Sequence, residues 1–425
     1  MRILMLTQWF DPEPHFKGLE FARELKRRGH EVQVLTGFPN YPGGSLYPGY
    51  RVRPLQREVL EGIPVIRVPL YPSHDKSSLR RMANYFSFAF SASLLGTLLV
   101  KKADCMHVYH PPATVGFPAL ALNFFRRIPF VYDVQDLWPD TLGATGMLSQ
   151  GPILKSVDWW CRRLYQRAAC VAVLSPGFKK ALIKRGVPPE KIEVIYNWSE
   201  EKQFLSCRKK QEQPLQHQAG DSPQHKERRQ LAQSLGLQGK FNIIFAGTMG
   251  QAQALDAVLS AAARIAGKYP RIQFVFVGGG VDVPRLKQRA AEMKLDNVIF
   301  LPRLPLSEIG AVLELAEVLL VHLKDDPLFS ITIPSKTQSY LAVGKPILMG
   351  VRGDAADLVK QAGAGITCTP QDPDSIAGAV EKLYNLQGPQ LEALGRAGRD
   401  FYQRELSLVT GVKKFEAIFE RIAKK

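Results

Sequence analysis

The chain has 425 residues, 45% of them hydrophobic and 22% charged, which supplies enough apolar material for two cores and excludes a disordered or disulfide-stapled protein. Its 56 Lys and Arg against 39 Asp and Glu give a formal charge of +17, which attracts anionic partners without saying whether they are nucleic acid, nucleotide phosphates or acidic lipid headgroups. Cys105, Cys161, Cys170, Cys207 and Cys368 are scattered without a CxxC or a bridge spacing, which points to a reducing compartment and away from structural zinc.

The apolar run Arg2–Thr7 stops at Gln8 and Asp11-Pro12, too soon for a signal peptide, and is predicted as the first buried strand of a cytoplasmic protein. A helical pattern over Lys17–Arg28, a turn at Gly29-His30 and a second strand through Thr36 complete a βαβ opening, the signature of a parallel sheet covered on both faces. Strands at Pro64–Val68, Cys105–Tyr109, Phe130–Val134, Cys170–Leu174 and Ile192–Ile195 extend the pattern into one doubly wound domain over residues 1–200. Within it, Tyr85–Val100 is apolar, flanked by Arg80-Arg81 and Lys101-Lys102, and shorter than the ~20 residues of a spanning helix. It reads either as a core helix or as an interfacial one whose Tyr85, Phe86, Phe88 and Phe90 enter lipid while the basic flanks attract an anionic membrane surface.

Residues 201–240 are predicted as a polar, basic linker or insertion, since 202–230 is Gln-rich with seven basic residues against three acidic and shows no apolar period. Alternation resumes with strands at Phe241–Ala246, Phe274–Val277, Val298–Leu301, Val318–Val321, Pro346–Met349 and Gly365–Cys368, with a helix near Pro334–Val343. This predicts a second α/β domain over 241–400, followed by a C-terminal helix in 401–425.

Gly247-Thr248-Met249-Gly250 lies between a strand and a helix, so it is either a phosphate-binding loop or a tight turn, and Gly278-Gly279-Gly280 carries the same two readings. Pro334-Ser335-Lys336 opens a helix with an ammonium at its positive end, which suits a diphosphate, and Arg303 offers a second, guanidinium contact. Lys345 reads more simply as a helix C-terminal charge.

In the first domain Asp136, in the run Asp136-Leu137-Trp138-Pro139-Asp140, is placed either to orient a sugar hydroxyl or to assist proton transfer, and His110, at a strand exit, to touch substrate. His107 is expected to be satisfied inside the fold, and Ser175 to cap a helix rather than act as a nucleophile. No metal motif, GxxxxGK[ST] loop, HExxH, helix-turn-helix or RNA-binding motif accompanies these features, so no metal and no nucleic-acid partner is expected.

Several segments in order, Gln8-Trp9-Phe10-Asp11-Pro12-Glu13-Pro14, Arg28–Val32, Leu35–Gly44, Asp136–Asp140, Ala246–Gly250, Pro334-Ser335-Lys336 and Gly344-Lys345-Pro346, resemble the family 4 glycosyltransferases. Within that family the resemblance is to the bacterial surface-polysaccharide branch that includes the fucosamine transferases. It implies a GT-B-like α/β fold of two Rossmann-like domains facing a cleft, with an acceptor-side first domain, a nucleotide-sugar-binding second domain and a last helix crossing back. The implied activity is a retaining transfer from an NDP-sugar, with UDP favoured and no cofactor, to a polyprenyl-diphosphate-linked saccharide, as in lipopolysaccharide synthesis, by a peripheral enzyme on the inner face of the membrane.

On the resemblance, His110, Asp136 and Lys336 act at the reacting centre. Donor contacts fall to Lys17, Gly18, Gly247, Thr248, Gly250, Gly279, Arg303, Pro334, Ser335, Lys336 and Ser339. One departure stands out: Ile331 and Ser339 occupy the positions where many relatives carry paired glutamates. A non-hydrolysing nucleotide-sugar epimerase and a nonenzymatic sugar-nucleotide-binding scaffold are the alternative readings.

Overall fold

Apolar strands alternating with helices build two parallel sheets in the computed structural model, which describes residues 1–73, 77–144, 151–201 and 223–424. The chain divides into Met1–Tyr196 with Leu408–Lys425, and Asn197–Ser407, so the last helix, Leu408–Ala423, belongs to the first unit. Each unit is a Rossmann-like α/β layer structure, the fold class expected from the alternation.

The first sheet comprises β1 (Arg2–Leu6), β2 (Glu31–Gly37), β3 (Gln56–Leu60), β4 (Ile63–Val68), β5 (Cys105–His110), β6 (Phe130–Val134), β7 (Cys170–Val173) and β8 (Ile192–Val194) in the order β3-β4-β2-β1-β5-β6-β7-β8. Every pairing is parallel except β3 with β4. The strands β5, β6 and β7 are buried throughout, so both of their faces must be covered. The helices of this unit are α1 (Leu19–Arg27), α2 (Ser78–Leu99), α3 (Gly116–Arg126), α4 (Asp140–Ala144), α5 (Pro152–Arg167) and α6 (Pro176–Lys184). Right-handed crossovers put α1 on one face, where it packs on the last helix, and α2, α3 and α5 side by side on the other.

The second sheet comprises β9 (Phe241–Ala246), β10 (Ile272–Val277), β11 (Val298–Leu301), β12 (Val318–His322), β13 (Ile347–Gly350) and β14 (Gly365–Thr367), all parallel, in the order β11-β10-β9-β12-β13-β14. The winding direction reverses between β9 and β12, and between β1 and β5 in the first sheet. Open α/β sheets bind ligands outside the carboxyl ends of the strands at such reversals.

Three expectations need correction. Strand β3 was missed; it pairs with β4 through a tight turn at Glu61-Gly62, both with positive φ, and its half-exposed edge pattern lacks the apolar run that marks the other strands. The helix expected from Tyr85 begins at Ser78, because Ser77 accepts a hydrogen bond from the Arg80 N–H and buried Asn84 is held by partners of its own. A helix at Pro223–Ser234 takes up the end of the expected polar linker, and the remainder of it, 202–222, lies outside the described residues.

Candidate functional site

In the second unit a cavity of about 490 Å³ opens at the carboxyl ends of β9, β10, β11 and β12, where the sheet reversal predicts a ligand. Each strand contributes residues at or just past its carboxyl end: Gly247 and Thr248, Gly278 and Gly279, Arg303 and Leu304, His322 and Leu323. The helix Ser335–Val343 closes it with Pro334, Ser335, Lys336 and Ser339, aiming the positive end of its dipole inward.

The two glycine loops are locked together by their backbones. The Gly247 N–H donates to Val277 O at 2.8 Å and the Met249 N–H to Gly279 O at 2.8 Å. A Cβ on Gly278, at φ +140°, would lie 2.1 Å from Gly247 O, so Gly278 is glycine for the loop contact rather than for a ligand. Gly279 has nothing within 4 Å of a built Cβ and faces open space. Gly250 does not line the cavity; its N–H donates to Gln253 Oε1 at 2.9 Å.

Lys336 is the electrostatic centre. Its ammonium sits 3.4 Å from the centroid of the Phe245 ring, and a Cβ on Gly247 would meet its Cε at 2.6 Å, so the side chain lies along the glycine loop. Burial pushes it down to about 7, and no carboxylate among the described residues pairs with it. Arg303 is exposed on the cavity wall. Such a site suits a dianionic ligand, which would restore the ammonium charge.

His322, Tyr340 and Gln253 also line the cavity and escaped sequence reading, since none belongs to a recognisable motif. His322 donates from Nδ1 to Gln253 O at 2.7 Å and accepts at Nε2 from the Gln371 N–H at 3.1 Å, which holds it neutral as a wall. The Tyr340 hydroxyl accepts from the Ala246 N–H at 3.0 Å and ties the helix to β9. Ser339 Oγ lies 3.0 Å from Ser199 Oγ. Lys345 Nζ donates to Ala316 O at 2.7 Å, just past the end of the helix Leu306–Glu314 rather than at the end of its own helix.

In the first unit, the loops after β1 and β2 are joined through Glu13. Its carboxylate accepts the N–H groups of Phe10 at 3.0 Å and of Asn40 and Tyr41 at 2.8 Å each, and burial pushes its pKa up to about 7. This clamp stacks Trp9 on Tyr41 with ring centroids 4.3 Å apart. Asp136 shares the neighbourhood: burial raises the pKa of Tyr41, Tyr85 and Tyr109, the nearby Asp136 charge adds to each shift, and burial raises the pKa of Asp136 itself. A carboxyl among aromatic rings is a sugar-binding chemistry: rings cover apolar C–H faces and the acid bonds hydroxyls. The role of Glu13 and Trp9 was legible only as part of the segment Gln8–Pro14.

His110 ends β5 and is fully buried between the rings of Tyr132 (5.6 Å) and Trp138 (5.4 Å). Neither ring nitrogen has a partner among the described residues, and burial pushes its pKa down to about 3, so it is a neutral imidazole. His107 is satisfied as expected, donating from Nε2 to Asp133 at 3.0 Å, and Ser175 caps α6 by accepting from Phe178 at 3.1 Å.

Lys17 and Gly18, expected at the donor, are both engaged within the first unit. Lys17 is buried, its Nζ 2.9 Å from Asp133 Oδ2 and 5.3 Å from the Phe415 ring centroid, so its charge is spent inside the unit. Gly18 is glycine because a Cβ would meet His15 and Asp11 within 2.4 Å, and Asp11 takes the Leu19 N–H at the start of α1. Among the described residues no group of three or more His, Cys, Asp and Glu is disposed to hold a metal ion.

Two family models match the chain: residues 19–198 fit the Glycosyl transferase 4-like domain and residues 226–401 fit Glycosyl transferases group 1. With this fold, they make the chain a glycosyltransferase of the GT-B, family-4-like type. It is 26% identical over 356 residues, 82% of each chain, to WbjE of Pseudomonas aeruginosa, named as a probable glycosyltransferase. It is 27% identical over 359 residues, 81% of this chain and 82% of the other, to WcaI of Escherichia coli K12, named for colanic acid biosynthesis as a glycosyl transferase. Among solved structures, Anabaena HepE in complex with UDP and glucose is similar at a TM-score of 0.64 and 16% identity, over 98% of this chain and 99% of that one. An Escherichia coli trehalose-6-phosphate structure bound with UDP-2-fluoro glucose reaches 0.70 at 12% identity, over 99% of both chains. The resemblance thus reaches the family, and nothing in these matches narrows it to a fucosamine transferase.

Proposed function

We propose that this chain transfers a sugar from an NDP-sugar, UDP-linked in preference, to a lipid-linked saccharide in bacterial surface-polysaccharide synthesis, with retention of anomeric configuration. The observation that carries the reading is the unpaired Lys336 ammonium lying along the Gly247 loop, in a cavity at the β9/β12 reversal. The colanic acid relative supports the polysaccharide setting, and the UDP complexes of similar folds support the base.

In this account Lys336, the helix N-terminus at Ser335 and Arg303 hold the diphosphate and stabilise the charge that grows on it as the sugar C1–O bond breaks. The acceptor oxygen bonds to C1 from the same face, and its proton passes to the departing phosphate oxygen. Thr248 and Gly279 border the diphosphate, and Ser339 offers one hydroxyl where a carboxylate is absent. On the acceptor side, Asp136 orients hydroxyls against the Trp9–Tyr41 stack, and the neutral, buried His110 acts from behind it by holding the Trp138 ring in place. Gly250 supports the loop.

The test is calorimetric titration of UDP, GDP, ADP and CMP into wild type and Lys336→Ala, followed by turnover with a matching donor panel and polyprenyl-diphosphate-linked saccharides. Selective UDP binding weakened by the substitution, and a glycoside product, are expected. Nucleotide binding without turnover on any acceptor would favour a scaffold, and conversion of UDP-sugar without acceptor would favour an epimerase.

A further inference from the structure

The outer face of α2 breaks the rule that a helix on a folded unit turns polar residues to water. Leu79, Met82, Phe86, Phe90, Leu94 and Leu98 are all exposed, Phe90 by 73% and Leu98 by 71%, and their spacing of three or four residues lines them along one side. From Leu79 to Leu98 the stripe runs ~28 Å at 1.5 Å per residue. The neighbouring helices continue it: Phe117, Phe124 (76%) and Phe125 (70%) on α3, then Ile153 and Trp159 on α5. Phe86 touches Phe117, which stacks on Trp160 at 4.0 Å, so the patch is continuous from α2 to α5. A connected apolar surface of this extent is larger than water normally wets without a partner.

Its border carries one sign of charge. Residues 78–102, 116–127 and 152–167 hold ten Lys and Arg against a single carboxylate, Asp158. Arg80 and Arg81 stand at one end of α2 and Lys101 and Lys102 at the other, with Arg127, Lys155 and Arg163 beside α3 and α5. We propose that this face of α2, α3 and α5 docks flat on an anionic lipid bilayer, with the aromatic side chains at the acyl boundary and the basic rim against the headgroups. This rests on the lipid-linked acceptor proposed above and assigns the surface that would bring the chain to it.

The opposite side of α2 explains why the helix lies on the bilayer instead of crossing it, although by length and apolarity it is a spanning candidate. Phe88, Ala89 and Ala92 are buried in the unit, a Cβ on Gly96 would lie 2.6 Å from Leu35, and Asn84 bonds Gln8 at 2.6 Å, Asn40 at 3.1 Å and Tyr71 O at 2.7 Å. Pulling α2 into a membrane would expose that packing and strand those amides. Of the four aromatic residues expected to enter lipid, Phe86 and Phe90 face outward while Tyr85 and Phe88 face the core. A second copy of the chain is the poorer occupant, because two such rims would oppose like charges.

The experiment is vesicle co-flotation of the full chain on phosphatidylcholine alone and with about one-third phosphatidylglycerol, for wild type, a triple Phe90→Ala, Phe124→Ala, Phe125→Ala variant and a double Lys101→Glu, Lys102→Glu variant. Circular dichroism and UDP titration run on the same samples. Wild type is expected to float with anionic vesicles, the triple variant to bind roughly tenfold or more weakly, and the double variant to lose the preference for anionic lipid. Wild type that floats with neither vesicle, or a folded triple variant that binds like wild type, overturns the proposal. A wild-type dimer that the triple variant abolishes in sedimentation velocity reassigns the face to self-association. UDP binding retained without flotation sinks this surface and leaves the transferase reading standing, and flotation without UDP binding does the reverse.

Discussion

Replacing Lys336 by Met should make the protein more stable and less able to bind nucleotide. Burial holds the ammonium near 7, against about 10.4 in an unfolded chain. At full weight that gap is worth about 4.6 kcal/mol of destabilisation. The side chain keeps part of its surface open to the cavity, so solvent screening brings the figure to about 2–4 kcal/mol. Because the unfolded state binds the extra proton between about pH 7 and 10.4, the penalty is complete below 7 and fades as pH rises through that window. Urea unfolding should therefore show Lys336→Met more stable than wild type at pH 7 and equal to it near pH 10.5.

Nucleotide binding should move the opposite way. Loss of a charge-assisted contact costs about 1.5–3 kcal/mol, or roughly 10- to 150-fold in Kd. In wild type the bound diphosphate raises the Lys336 pKa, so at pH 8, above the phosphate titration, binding takes up close to one proton and affinity falls about tenfold for each further pH unit. Calorimetry in buffers of different ionisation enthalpy reads that proton. Equal stability at pH 7, or UDP binding at pH 8 with no proton uptake, would refute the reasoning.

Gly278→Ala should cost about 2 kcal/mol or more, since the Cβ collides with the Gly247 carbonyl at a left-handed φ, whereas Gly279→Ala should leave the melting temperature unchanged and weaken UDP binding. Lys17→Met alone should cost about 3–5 kcal/mol by leaving the buried Asp133 carboxylate without its cation, although His107 and Gln135 still donate to it, and should leave UDP affinity unchanged in variants that stay folded. His110, with its pKa near 3 in the fold and about 6.5 unfolded, should cost wild type about 2 kcal/mol between pH 7 and pH 5 as the unfolded state takes the proton. Denaturation of His110→Phe should lack that share of the acid loss, and a profile that parallels wild type would contradict it. Asp136→Asn should lower turnover at least tenfold with UDP binding intact; a matching loss of UDP affinity would remove it from the acceptor side.

The buried strands were legible because a parallel strand covered on both faces writes a continuous apolar run: β6 and β9 fall on their expected residues. Edge strand β3 carries no such run, and its Glu61-Gly62 turn was the only local signal. At the site, Lys336 was readable from its place at the start of a helix, but sequence could not distinguish it from Lys17, whose counter-ion Asp133 lies 116 positions away and arrives only with the fold. Likewise three adjacent glycines look alike, while the structure uses Gly278 and Gly280 for backbone contact with the neighbouring loop and leaves Gly279 open. Both faces of α2 are apolar, so its sequence did not show which aromatic rings stay outside; packing against Leu35 and the Asn84 hydrogen bonds decide it.

Incubating the purified chain with a panel of UDP-sugars and a polyprenyl-diphosphate-linked saccharide, and reading the product by nuclear magnetic resonance, tests transfer itself. One donor should yield a new glycosidic bond whose anomeric configuration matches that of the donor, and Lys336→Ala should suppress it. A folded protein that forms no glycoside from any donor would contradict the transferase account, and an inverted product would contradict its stereochemistry.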